Sequence, residues 1–338
     1  MAIQTDFLTY RLTIGLSTME GRGFYYPSDT VIGPNKRLYV LNRSLEGVDR
    51  GIRVTMCDLD SEYYGTFGSY GEDEGQFVWL TGGTVDAQGH IYVTDEYLHR
   101  VSAFDASGTF LTRWGSHGRG ADELDGPSGI ACDGQGGLFV ADTHNHRIQK
   151  FTTGGEPLLS FGTEGSGEGQ FNLPWGLAMG PNGDVYVADW GNDRIQRFTP
   201  DGAFVASYGE PGRGDGQLTR PASVAVDLEG YMYIADWGNE RVQVLGPDGG
   251  FVQNLRGEAT LSEWAVNFLN INQEEGAARA RANLEPEIEF LDPDDPYEVS
   301  SHIEKYFWSP MSVKLDDEGQ LYVTESNRHR IQIYGRTA

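Results

Sequence analysis

The sequence predicts an all-β fold: a six-bladed β-propeller of four-stranded antiparallel blades. An N-terminal strand closes it, and a partly helical insertion separates blades 5 and 6. Three observations predict this. First, one pattern recurs as YVTDEYLHRVSAF, FVADTHNHRIQKF, YVADWGNDRIQRF, YIADWGNERVQVL and YVTESNRHRIQIY, with a weaker first copy in YVLNRS and IRVTMCD. Its acidic position falls at Asp95, Asp142, Asp189, Asp236 and Glu325, with Asn42 in the first copy. Intervals from Asp95 to Asp236 are 47 residues; the interval before them exceeds 47 by 6, and the one after by 42. Second, each unit reads as four short apolar or alternating runs joined by turn sequences, as in GLAMG, DVYVAD, RIQRF and FVASYG. Such a unit cannot bury both sheet faces alone, and packing six around an axis solves that. Third, a glycine ends the fourth strand 27 residues before the next acidic position, at Gly68, Gly115, Gly162 and Gly209, and Gly15 precedes Asn42 by the same 27. The first residues, about Tyr10 to Gly15, are therefore a fourth strand without its partners. The last unit ends at 338 before reaching its own fourth strand, so the two ends complete one blade.

The 338 residues form one domain, 1–338, with the long insertion at 258–306. Lys plus Arg is 25 and Asp plus Glu is 50, a net charge of −25, and no basic patch appears, which sets nucleic acid aside. No run approaches 18 apolar residues, so no membrane helix is expected, and no leader pattern is visible. Two cysteines, Cys57 and Cys132, make no disulfide framework and read as small buried residues. The expected compartment is the cytoplasm.

With GEGQFNLPWGLAMGPNGDVYVADWGNDRIQRF and its relatives on the page, the chain resembles the NHL-repeat family over nearly its whole length except about 258–306. Five units carry acid-x-x-x-x-Arg: Asp95/Arg100, Asp142/Arg147, Asp189/Arg194, Asp236/Arg241 and Glu325/Arg330. The resemblance implies the fold and leaves function open, since such propellers include binding modules, sensor domains and the peptidyl-hydroxyglycine amidating lyase, and resemble lactonases. That lyase places zinc-binding histidines directly after the proline opening the inner strand. The equivalent positions here are Ser28, Thr81, Ser128, Trp175, Ala222 and Met311, and none is histidine. Trp175 also stands where a lactonase-like Asn would begin its motif. No metal residue is assigned; zinc or calcium stays open as a cofactor without a family ligand set.

The repeated acid and Arg read as structural: the carboxylate caps a turn and pairs with the Arg. Asn145, Asn192 and Asn239 read the same way. His99, His146 and His329 share one register on blades 2, 3 and 6, too dispersed to share a metal, and His144 reads as an exposed turn residue. Asp29 differs: it lies two residues after an inner-strand proline, where other units have Gly or Ser, and should project near the axis as a base or hydrated carboxylate. Trp190 and Trp237 follow the repeat acid on adjacent blades, in top-face turns.

The insertion's extra 42 residues fall in one top-face loop. Thr260 with Glu263 suggests a capping box, and Leu261, Trp264, Ala265, Phe268, Leu269 and Ile271 recur at helical spacing. A second helix is expected over about Gln273 to Asn283, followed by the acidic, proline-broken EPEIEFLDPDDPYE. A loop this long beside the channel reads as a lid. Together these features predict a small molecule or a peptide bound at the top face. Its contacts are Asp29, Trp175, Trp190, Trp237 and Met311, with His302 and Tyr306 from the returning lid. The alternatives are a lyase or hydrolase working in the channel, with Asp29 as its one catalytic candidate, and an acidic scaffold for a protein partner.

Overall fold

A computed structural model describes residues 6–45 and 47–337. Six four-stranded antiparallel sheets surround one axis. Blade 1 runs from Pro27 to Phe67, blade 2 from Leu80 to Trp114, and blade 3 from Pro127 to Phe161. Blade 4 runs from Pro174 to Tyr208 and blade 5 from Pro221 to Leu255. Blade 6 takes three strands from Pro310–Arg336 and its outer strand from Leu8–Ile14. That outer strand pairs Leu8 with Arg336 and Ile14 with Ile331, closing the ring as the spacing predicts. Gln253 of blade 5 grips it from the side: Leu8 N donates to Gln253 Oε1 at 2.7 Å, and Gln253 Nε2 donates to Leu8 O at 3.1 Å.

Burial explains the strand patterns. Second strands, such as Val185–Asp189, are buried throughout, because blades cover both faces. Outer strands, such as Phe204–Tyr208, alternate between half-buried and exposed. The core is a set of inter-blade layers; Phe139, Ile148, Phe171, Leu177, Val185 and Phe198 fill the one between blades 3 and 4.

The repeat acid works as expected in four blades. Asp142–Arg147, Asp189–Arg194, Asp236–Arg241 and Glu325–Arg330 pair at 2.6–2.8 Å. Each Arg also donates to carbonyls of the loop entering its blade, as Arg241 does to Arg213, Gly214 and Gln217. Blade 2 departs from the expected pair: Arg100 spends its terminal nitrogens on Glu72, Asp73 and Gln76 carbonyls, while Asp95 caps backbone N–H groups of Val78, Trp79 and Leu98. Asn145, Asn192 and Asn239 tie the same turns to the acids Asp142, Asp189 and Asp236.

The insertion forms three helices, α1 (Glu263–Ile271), α2 (Gln273–Arg281) and α3 (Pro296–His302). Ser262, not Thr260, caps α1 by accepting from Ala265 N. Thr260 is diverted because its hydroxyl bonds Thr13 Oγ1 at 3.0 Å, tying the segment to the outer strand of blade 6. Proline at its first turn starts α3 rather than preventing it, since the missing N–H has no helical partner there. No helix among the described residues is long and apolar enough to cross a membrane.

Candidate functional site

Every inner strand breaks register just after its first residue, at Pro27/Asp29, Leu80/Gly83, Pro127/Ile130, Pro174/Leu177, Pro221/Ser223 and Pro310/Ser312. The bulges turn the following residues toward the axis. Ser28, Asp29, Thr81, Trp175, Ala222 and Met311 line one central cavity as a result. Its volume is about 20 Å³, room for about one water molecule.

The cavity is narrow for a reason written in its glycines. A Cβ at Gly82, Gly129 or Gly176 would stand 2.5 Å from a carbonyl oxygen of the next blade, so blades 2, 3 and 4 press backbone against backbone. Blades 5, 6 and 1 carry Ser223, Ser312 and Asp29 there instead. Asp29 is 4% exposed and fully engaged. Its Oδ2 accepts from Gly83 N at 2.8 Å and meets Lys314 Nζ at 3.2 Å; its Oδ1 accepts from Thr30 N at 2.8 Å and from Ser312 Oγ. The carboxylate thus joins blades 6, 1 and 2 at the axis.

The remaining candidates stand outside the channel. Trp190 and Trp237 meet on the rim of blades 4 and 5, with ring centroids 6.4 Å apart and planes at 40°. The Arg220 guanidinium lies 4.8 Å over Trp190, held from behind because Arg220 N donates to Asp193 Oδ1 at 2.7 Å. Tyr306 lies under Arg256 at 4.6 Å. His302 is exposed at the end of α3, against Phe290 and the Ser301 hydroxyl. So the structure gathers Asp29, Trp175 and Met311 in one place and Trp190 with Trp237 in another; His302 and Tyr306 join neither group.

The insertion divides likewise. α3 sits on the top of blades 5 and 6: Arg328 donates to Ser300 and Ile303 carbonyls, Asn327 to the Tyr297 hydroxyl, and Arg213 to the Asp294 carbonyl. α1 lies elsewhere, on the outer edge where blades 6 and 1 meet. There Trp264 is buried against Phe24, Ile14, Leu38 and Cys57, and its indole N–H donates to Ser61 O at 2.6 Å. Of the apolar residues at helical spacing, Trp264 alone is buried. Leu261, Val266, Phe268 and Ile271 remain exposed.

The NHL repeat matches residues 124–151, 171–198 and 307–334, which hold blades 3, 4 and 6 from inner to third strand. The chain carries NHL repeats. No curated protein matches the sequence. Among solved structures, a streptogramin B lyase is similar at 12% identity and a TM-score of 0.56, covering 98% of each chain. A gluconolactonase from Xanthomonas campestris is similar at 16% identity and 0.58, covering 94% of this chain and 88% of that one. A hydrazine synthase from Kuenenia stuttgartiensis follows at 17% and 0.54, covering 93% and 96%. At these identities the likeness is one of fold.

One property of this NHL propeller escaped the repeat arithmetic. The residue just before the third strand adopts a left-handed conformation, φ 51 to 54°, at His99, His146, Asp193, Glu240 and His329. In each case its side chain accepts the N–H of the residue preceding the next blade's proline: Gly126, Leu173, Arg220, Ser309 and Tyr26. The histidine register is thus a blade-to-blade latch, and carboxylates do the same work in blades 4 and 5. The seam between blades 1 and 2 has Ile52 at this position and no such latch; Trp79 N turns to Asp95 instead.

Proposed function

We propose that this NHL propeller is a binding module that takes a planar or cyclic small molecule, or a peptide segment, on its top rim rather than inside its channel. The observation that carries this reading is the pairing of a closed axis with an open aromatic rim. The axis has room for about one water, and its one carboxylate is consumed by backbone N–H, hydroxyl and ammonium donors. The half-buried Trp190 and Trp237 offer indole faces, and Arg220 adds a cation for an acidic or aromatic group. α3 beside Trp237 would supply one wall, with Tyr306 and His302 further out. Trp175 and Met311 would contribute where the ligand reaches the channel mouth. A cytoplasmic location belongs to the same reading, in keeping with the free thiols Cys57 and Cys132.

A second reading, a lyase or hydrolase, is favoured by the neighbours' activities. One neighbour, a virginiamycin B lyase from Staphylococcus aureus, is described in an inactive form with quinupristin. Quinupristin and a gluconolactone are therefore the first probes, beside a panel of aromatic carboxylates. Tryptophan fluorescence titration should show saturable quenching that Trp190→Ala/Trp237→Ala abolishes without changing the melting temperature. Binding that survives in that variant overturns the rim reading. Consumption of a probe, seen by mass spectrometry, replaces it with the enzyme reading.

A further inference from the structure

At the seam of blades 2 and 3, four residues from three separate stretches of chain converge on the top face. His99 ends the turn before the third strand of blade 2. His117 and Asp125 belong to the loop between the blades, and His144 sits in the matching turn of blade 3. Asp125 Oδ1 is the common vertex: it stands 3.6 Å from His99 Nδ1, 3.6 Å from His117 Nε2 and 3.3 Å from His144 Nδ1. Donor atoms of His99, His117 and Asp125 all lie within 4.8 Å of one another, and the His99 and His117 rings are 4.4 Å apart.

Three of the four owe nothing to the repeat. The position of His117, paired with Leu124 by an isolated bridge, is Ser17, Tyr70 and Glu164 at other seams. Asp125 is replaced by Tyr25, Val78, Asn172, Thr219 and Trp308, and His144 by Gly191 and Gly238. A residue repeated around the ring serves the ring; residues that break the repeat and meet at one seam need another account. Gly126 belongs to the same set. Other latched seams have Tyr26, Leu173, Arg220 or Ser309 there, whereas a Cβ on Gly126 would stand 2.6 Å from His144 Nδ1. Glycine is what lets the His144 ring lie against the loop.

We infer that His99, His117 and Asp125, with His144 beside Asp125, form a binding site for a divalent transition-metal ion of the zinc class. Bonds of about 2.0–2.1 Å to a tetrahedral ion place its donors about 3.3 Å apart, close to the three distances around Asp125. His144 Nδ1 is hydrogen-bonded to Asp125 Oδ1 at 3.3 Å, whereas the 3.6 Å separations of His99 and His117 from the same oxygen are too long for hydrogen bonds. Imidazoles with one carboxylate select zinc and its neighbours over calcium or magnesium, which want oxygen cages. Coordination through His99 Nδ1 would replace the hydrogen bond this atom accepts from Gly126 N at 3.0 Å. Burial and the other two imidazoles already hold the His99 ring toward its neutral, ligating form. With the His117 side chain 67% exposed, the ion would keep one side open to water or to an anionic ligand. The site stands apart from the tryptophan rim of blades 4 and 5, so either inference survives the failure of the other.

The test is equilibrium dialysis of the whole chain against zinc chloride at about pH 7.5, with metal counted by mass spectrometry. About one zinc per chain is expected. His117→Ala and Asp125→Asn should each weaken binding at least about tenfold, while His90→Ala, whose ring pairs with Asp86 away from the cluster, leaves it unchanged. His117 lies in an exposed loop, so its removal leaves the fold intact, and circular dichroism checks this. Cobalt(II) supplies a second readout: a visible absorption of tetrahedral intensity, lost in the same two variants. No retained zinc, or zinc retained equally by both variants, overturns the inference.

Discussion

Two neighbouring seams of the ring do the same job with opposite chemistry. Between blades 5 and 6, Glu240 accepts Ser309 N at 2.5 Å; between blades 6 and 1, His329 accepts Tyr26 N through Nδ1 at 2.9 Å. Glu240 is buried and His329 partly so, and burial is the leading cause of both shifts. It pushes the Glu240 carboxyl up to about 8 and the His329 imidazole down to about 4. Each seam thus favours the neutral form of its latch, one an acid and the other a base. The backbone asks only for an acceptor in a left-handed residue; the identity of that acceptor decides how each seam answers to pH.

The largest expected effect is on the Glu240 seam. Its folded pKa lies above the usual value of 4.5, so the folded state holds the proton more tightly. Stability from this group is present below about pH 4.5 and is lost as pH rises through about 8, on the order of 4 kcal/mol in all. Glu240→Gln keeps an acceptor without the charge. The difference in urea-unfolding free energy between it and the parent should therefore grow from pH 5 to 9. A parallel pair of curves would break the contrast.

Asp29→Ala comes next. It strands Gly83 N, Ser312 and Lys314 at the axis beside the His329 seam, at an expected cost of about 3 kcal/mol. Urea unfolding measures it, and a cost below about 0.5 kcal/mol would mean Asp29 is free for other chemistry. The His329 seam should respond in the opposite sense to Glu240. Its folded pKa is below the usual 6.5, so its stability is present above that value and lost as pH falls through about 4. The expected size is on the order of 2 kcal/mol, reduced because the ring is partly exposed. His329→Asn, which tolerates the left-handed backbone and keeps an acceptor, should flatten the loss between pH 6.5 and 4. The smallest effect belongs to α1, draped over this same seam: Leu261→Ser and Ile271→Ser should each change stability by less than about 0.5 kcal/mol, since only Trp264 is buried.

How much of this was readable beforehand follows from which contacts repeat. The spacing from Gly15 to Asn42, shared with four other glycines, predicted that about Tyr10 to Gly15 would close the last blade, and Leu8–Ile14 does so, because the 27 residues measure a chain path that every blade shares. The acid-to-Arg pairs were readable for the same reason; blade 2 departs from them, with Asp95 capping backbone N–H groups while Arg100 bonds loop carbonyls alone. The positions after each inner-strand residue mapped the channel lining, including Asp29, Trp175 and Met311. What spacing could not say was how wide the channel is. That depends on Gly82, Gly129 and Gly176 meeting carbonyls of the next blade. Helices α1 and α2 were readable from the sequence, but not α3, whose prolines read as helix-breaking, nor the side of the ring on which α1 would rest. That side is set by contacts with distant segments: Trp264 packs on Phe24 and donates to Ser61 O, and Thr260 bonds Thr13.

The sequence by itself thus determined the blades, their number, their closure and the residues that brace each turn, since these depend on local periodicity repeated six times. Only the tertiary structure decided what meets across a seam. His117, Asp125 and His144 share no register and no spacing rule. They come together because two blades of fixed twist set one loop against one turn, a distance that no single repeat contains.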